Sequence, residues 1–286
     1  VIGGDTANGG SDELTITAID GNQLTLADGI EVTELRRDGL PRMIELAQAV
    51  KVSYIAVEQR EDLDITADQG VLKIVADGSV DIGSERALTL GADGSSVGYL
   101  DILGEARIKT KQGLVTKALG ADANFHIRAE KLIVEGGSGA VGSEAIPLSL
   151  QFITNADSQP GGLVARASGD VVVKYVGLAD GAGVDWLGNH GSYSTGWNVS
   201  ADLLLENGYS QSGNIHLINH YGSIVDVLDH GLVKLKANNI ILEAANSIGE
   251  YNEGGLIDTL EIAFNDPDGG FVYADADTGE VALHAI

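Results

Sequence analysis

The sequence predicts an all-β chain of stacked coils, a β-solenoid with glycine-rich turns and at most one short helix. Three observations carry this reading. Apolar and polar residues alternate in short runs along most of the chain, glycine outnumbers proline 39 to 4, and a long internal repeat recurs in the second half. Period-two alternation places successive side chains on opposite faces of a strand. It runs through Leu14 to Ala18, Leu24 to Leu26, Leu63 to Ile65, Val71 to Val75, Leu88 to Leu90, Leu100 to Ile102, Ala106 to Lys109, His126 to Arg128 and Leu132 to Val134. It continues through Val171 to Val173, Ala201 to Leu205, Ile215 to Ile218, Ile224 to Leu228 and Leu232 to Leu242. Between runs stand Ala76 to Ser79, Gly91 to Gly94 and Gly136 to Gly139, where glycine supplies the positive φ of tight turns. The exception is Glu34 to Val50, where Leu35, Met43, Ile44, Leu46, Ala47 and Val50 fit one helical face around Gly39 and Pro41. A short helix from about Arg42 to Ala49 is expected there, capping or padding the side of the stack.

Composition bounds what fills and surrounds the stack. Hydrophobic residues make up 44% and aromatics only 5%, so a narrow interior is filled mainly by Val, Ile, Leu and Ala. Each coil of a solenoid packs only on its neighbours, so residues 1–286 read as a single elongated domain. With 42 Asp plus Glu against 17 Lys plus Arg, the formal charge is -25, a surface that repels nucleic acid and anionic membranes and favours cationic partners. The absence of cysteine removes disulfides, thiolate metal sites and cysteine nucleophiles. No run approaches the length of a membrane span, so no membrane insertion is expected. The chain opens at Val1 and ends in alternation at Val281 to Ile286, and it reads as a segment of a longer chain with any secretion signal outside it.

The internal repeat is the strongest argument for stacking. Lys131-Leu-Ile-Val-Glu135 leads through small residues to Val141-Gly142, and Asn239-Ile-Ile-Leu-Glu243 leads likewise to Ile248-Gly249. Aliphatic stretches follow, then Gly161-Gly162 or Gly269-Gly270, then Gly169-Asp170 or Gly279-Glu280. The offsets are 248 − 141 = 107, 269 − 161 = 108 and 279 − 169 = 110 residues, a drift that loop insertions produce. Residues 131–176 therefore resemble 239–286. Each repeat holds several coils of roughly 20 to 25 residues. Residues 177–197 read as an inserted loop.

From Ile240 onward the chain resembles the recurring unit of giant secreted bacterial proteins of the filamentous haemagglutinin-like type. The resemblance lies in Asn246-Ser247-Ile248-Gly249, Leu256-Ile257-Asp258-Thr259, Gly270-Phe271-Val272-Tyr273 and Gly279-Glu280-Val281, and extends weakly to residues 131–176. It implies a right-handed parallel β-helix, export to the cell surface, and a structural or adhesive stalk role in adhesion, biofilm matrix or cell contact. Partners would be a surface or matrix polysaccharide or a protein receptor, with self-association into filaments. The rival reading is a carbohydrate-binding or carbohydrate-cleaving β-helix module, and no catalytic residue is assigned.

Candidate sites are few. Two acidic turns, Asn265-Asp266-Pro267-Asp268-Gly269-Gly270 and Asp275-Ala276-Asp277-Thr278-Gly279, offer the oxygen ligands that calcium takes, although ordinary Asx and glycine turns have the same composition. Trp186, Asn189, His190, Tyr193 and Trp197 gather both tryptophans of the chain on a glycine-rich stretch. Such rings stack on sugars or cover the end of a coil. His216, His220 and His230, with Asp226 and Asp229 nearby, have the residue types of a transition-metal site. Ser223 with His220 and Asp226 has those of a nucleophilic triad, without the strained turn that presents a serine.

Overall fold

A computed structural model describes residues 16–20, 23–26, 30–35, 41–46, 51–57, 60–66, 72–76, 78–93, 96–119, 124–155, 161–177, 197–227, 232–251, 257–266 and 269–286. Every regular element among them is a strand. The first six are β1 (Ile16–Asp20), β2 (Gln23–Leu26), β3 (Ile30–Leu35), β4 (Pro41–Leu46), β5 (Lys51–Val57) and β6 (Arg60–Thr66). They pair antiparallel, β1 with β2, β2 with β5, β5 with β6 and β3 with β4.

The helix expected near Arg42 to Ala49 does not form, because Pro41–Leu46 is strand β4. Arg42 lies opposite Glu34 on one side and Ala76 on the other, and Leu46 opposite Ile30 and Leu72. Ladders on both edges satisfy the backbone groups that a helix would otherwise have paired internally, and this tertiary pairing overrides the local spacing.

From Leu72 onward the chain builds layers. They begin with β7 (Leu72–Ala76), β8 (Val80–Ser84) and β9 (Leu88–Asp93), with β10 (Ser96–Gly98) folding back on β9. Next come β11 (Leu100–Ile102), β12 (Glu105–Thr110) and β13 (Leu114–Thr116), then β14 (Ile127–Ala129) and β15 (Lys131–Glu135), then β16 (Leu148–Asn155) and β17 (Leu163–Ala167). β18 (Val171–Tyr175), β19 (Trp197–Val199) and β20 (Leu203–Ser210) follow, then β21 (Ile215–Asn219), β22 (Ile224–Asp226) and β23 (Leu235–Ala237). The last layers are β24 (Asn239–Ala244), the short pair β25 (Glu250–Tyr251) and β26 (Ile257–Asp258), β27 (Leu260–Phe264), β28 (Phe271–Ala276) and β29 (Leu283–Ala285).

Two long sheets result. One runs β6-β8-β12-β15-β17-β20-β23-β27-β29 and the other β7-β11-β14-β16-β18-β21-β24-β28, with every neighbouring pair in these runs parallel. Parallel pairing of strands that follow one another through the layers is consistent with a β-solenoid. In the second sheet Ile74, Leu100, Ile127, Leu150 and Tyr175 form one column, at spacings of 26, 27, 23 and 25 residues. The next step, Tyr175 to Asn219, takes 44 residues and spans the stretch expected as an insertion. Of that stretch, residues 178–196 lie outside the described residues.

The core is a set of such columns. Ile82, Ile108, Val134, Ala165, Leu235 and Ile262 are buried along the first sheet, and fully burying an aliphatic side chain contributes about 1.5–3 kcal/mol. A third column, Leu88, Leu114, Val141 and Val171, follows the strand of the first sheet in each early layer. That column continues through Ile215, Ile240 and Val272 of the second sheet, while Leu203, Ile224, Ile248 and Val281 form a separate column that follows the strand of the second sheet.

The internal repeat therefore matches turns that stand in two different columns. Val141 and Ile248 are both single-residue bridges, in different columns, and Gly142 and Gly249 after them have φ of 70° and 78°. The Gly142 N–H donates to Leu114 O at 3.0 Å and the Gly249 N–H to Ile224 O at 2.9 Å. A Cβ on Gly142 would collide with the Val172 carbonyl oxygen, so φ and space both require glycine. The strands before these bridges, β15 and β24, nevertheless belong to different sheets.

Candidate functional site

The expected acidic turns sit at the last layers. Asp266 follows β27 and is exposed, its carbonyl accepting from the Gly269 N–H at 3.3 Å, and Asp268 lies outside the described residues. Asp275 on β28 and Asp277 in the turn after it are exposed, and the Tyr273 hydroxyl donates to Asp275 Oδ2 at 3.1 Å. Among the described residues, no three His, Asp or Glu side chains are grouped to hold a metal ion. Of the aromatic segment, Trp186, Asn189, His190 and Tyr193 lie outside the described residues. Trp197 opens β19, opposite Asn155 of β16 in an antiparallel pair.

The histidines are drawn to carboxylates. His216 of β21 has Nδ1 2.9 Å from Glu144 Oε2 and Nε2 3.0 Å from Glu243 Oε1 of β24. His220 Nε2 lies 3.6 Å from Glu243 Oε2, and His230 is outside the described residues. The triad residue types do not come together. His220 turns to Glu243, Asp226 pairs with Lys234 Nζ at 2.7 Å, and the Ser223 hydroxyl accepts from the Ser247 N–H at 3.2 Å.

Several polar groups are buried between the layers. Asp101 and Arg128 are register partners on β11 and β14, 27 residues apart in sequence. Arg128 Nε donates to Asp101 Oδ1 at 2.8 Å, and Nη2 completes the fork to Oδ2. The guanidinium carbon lies 4.3 Å from the centroid of the Phe125 ring, which meets Tyr99 edge-on at 5.8 Å. Burial pushes the guanidinium below its ordinary value, opposed by the hydrogen bond and charge of Asp101.

His126 is fully buried as a neutral ring. Its Nδ1 accepts from the Ser149 N–H at 2.9 Å, which leaves Nε2 to donate to Lys117 O at 2.7 Å. Burial holds its pKa below the ordinary value. Asn219, also fully buried, closes the turn after β21 with four bonds. Its Nδ2 donates to Ala201 O and Ser223 O, and its Oδ1 accepts from the Tyr221 and Gly222 N–H groups. These groups join residues on neighbouring layers, so their chemistry is that of cross-layer ties.

No protein-family model, curated protein or solved structure matches the chain. The haemagglutinin-like resemblance therefore rests on its motif residues alone.

Proposed function

We propose that the chain is a right-handed parallel β-helix forming a stiff, acidic stalk segment of a secreted bacterial surface protein, with a role in adhesion, biofilm matrix or cell contact. The observation that supports this most is the parallel register of eight successive strands, β7 to β28, in one sheet. At 4.8 Å per strand their seven spacings span about 34 Å, and each layer adds aliphatic side chains to the same columns. Stiffness follows because each strand inside the two long runs is bonded on both sides, so no layer moves without its neighbours. The formal charge of -25 keeps parallel stalks apart and disfavours nucleic acid.

The contact residues of the adhesive reading are Trp186, Asn189, His190, Tyr193 and Trp197, taking a polysaccharide or protein receptor. Beads coated with the chain are expected to be retained on cells or on extracted matrix polysaccharide, and W186A/W197A lowers that retention. Retention no higher than that of uncoated beads overturns the adhesive role. Small-angle scattering from a compact globule rather than a rod overturns the stalk.

A further inference from the structure

We propose that Lys234 and Asp226 condense into an intrachain isopeptide bond, with Glu261 as the carboxyl that relays the protons. Lys234 Nζ lies 2.7 Å from Asp226 Oδ2, with the two side chains only 4% and 2% exposed. Glu261 is 5% exposed, and because Leu235 pairs with Ile262, Glu261 is the lateral neighbour of Lys234. The Lys234 N–H donates to Glu261 O at 2.8 Å, and the Thr259 hydroxyl donates to Glu261 Oε1 at 3.1 Å. An amine and a carboxyl in contact with it thus share one water-poor site, with a second buried carboxyl on the adjoining strand. A desolvated ion pair is costly to keep there, and a neutral amide removes that cost.

The step balances without an oxidant or co-reactant. A proton passes from Nζ to Asp226 across the existing contact, leaving an amine and a carboxylic acid. The Nζ lone pair attacks Cγ. Glu261 takes a proton from the nitrogen and delivers it to the departing hydroxyl, so one C–N bond forms, one C–O bond breaks and one water leaves. Fixed proximity in a dry site is the condition that raises such intramolecular rates. The product joins the end of β22 to the residue before β23, two strands that pair with different halves of β20: β22 with Leu203–Leu205, and β23 with Gly208 and Tyr209. The bond spans the irregular register of β20, and pulling force passes through it rather than through residues 227–233.

Intact mass of the full chain, followed by tryptic mapping, tests this. The chain is expected to be lighter than its sequence by one water, with no cleavage after Lys234 and a branched Asp226–Lys234 peptide. Lys234→Met is expected to regain the full mass, and so is Glu261→Gln, with its fold checked by circular dichroism. A wild-type mass equal to that of the sequence overturns the bond, and this measurement needs no variant to fold. A deficit that persists in Lys234→Met places the lost water elsewhere and overturns it as well.

Discussion

Removing Asp101 from beneath Arg128 tests how the layers hold buried charge. In Asp101→Ala the guanidinium keeps its place at 2% exposure and loses both bonds of the fork. Breaking a buried pair from one side costs about 4 kcal/mol, the middle of the range for an uncompensated buried charge. At 1.4 kcal/mol per tenfold, that is roughly a thousandfold loss in the folding equilibrium constant. The Phe125 ring retains part of the cation's stabilisation, about 1 kcal/mol, so the loss does not reach the top of that range. Replacing both partners by apolar residues of similar size, Asp101→Leu with Arg128→Met, removes the charge and its partner together. The double variant is expected within about 1 kcal/mol of wild type. Urea unfolding followed by circular dichroism, run as a double-mutant cycle, measures both values. A single variant costing less than about 1 kcal/mol refutes the burial argument, and a double variant as unstable as the single refutes the compensation argument.

Three further outcomes follow from the same geometry. His126 is neutral in the fold with its pKa below the unfolded value of about 6.5, so its stabilisation is complete above that pH and falls as pH drops below it, by up to about 1.4 kcal/mol per unit. His126→Gln is expected to flatten that part of the stability profile, and a slope unchanged in the variant refutes the assignment. Asn219→Ala deletes four hydrogen bonds at one turn and is expected to cost about 3 kcal/mol, with faster amide exchange at Tyr221 and Gly222; exchange unchanged at both amides counts against it. Gly142→Ala forces a side chain into φ 70° against the Val172 carbonyl and is expected to cost about 2 kcal/mol in thermal or urea unfolding. Full stability in that variant means the turn has another conformation open to it.

What the sequence discloses and what it hides divide along a physical line. Alternation discloses which residues share a face, and it places Leu100 and Ile102 or Leu132 and Val134 inward as they are found. The recurring aliphatic-glycine pairs are legible because a positive φ and a collision with a carbonyl leave glycine as the residue that fits Gly142. Alternation does not disclose whether the opposite face is covered. Asp101 stands between two core residues and reads as a solvated outward position, yet it is buried, because β14 brings Arg128 beside it from 27 residues away. Lys234 and Glu261 are hidden for the same reason, since only the register of β23 against β27 makes them neighbours. At Pro41–Leu46 local spacing alone favours a helix, and the pairing partners that decide for a strand come from Ile30–Leu35 and Leu72–Ala76. In a stacked chain the elements are written locally, while the polar ties between layers arise from register, which single-sequence periodicity does not encode.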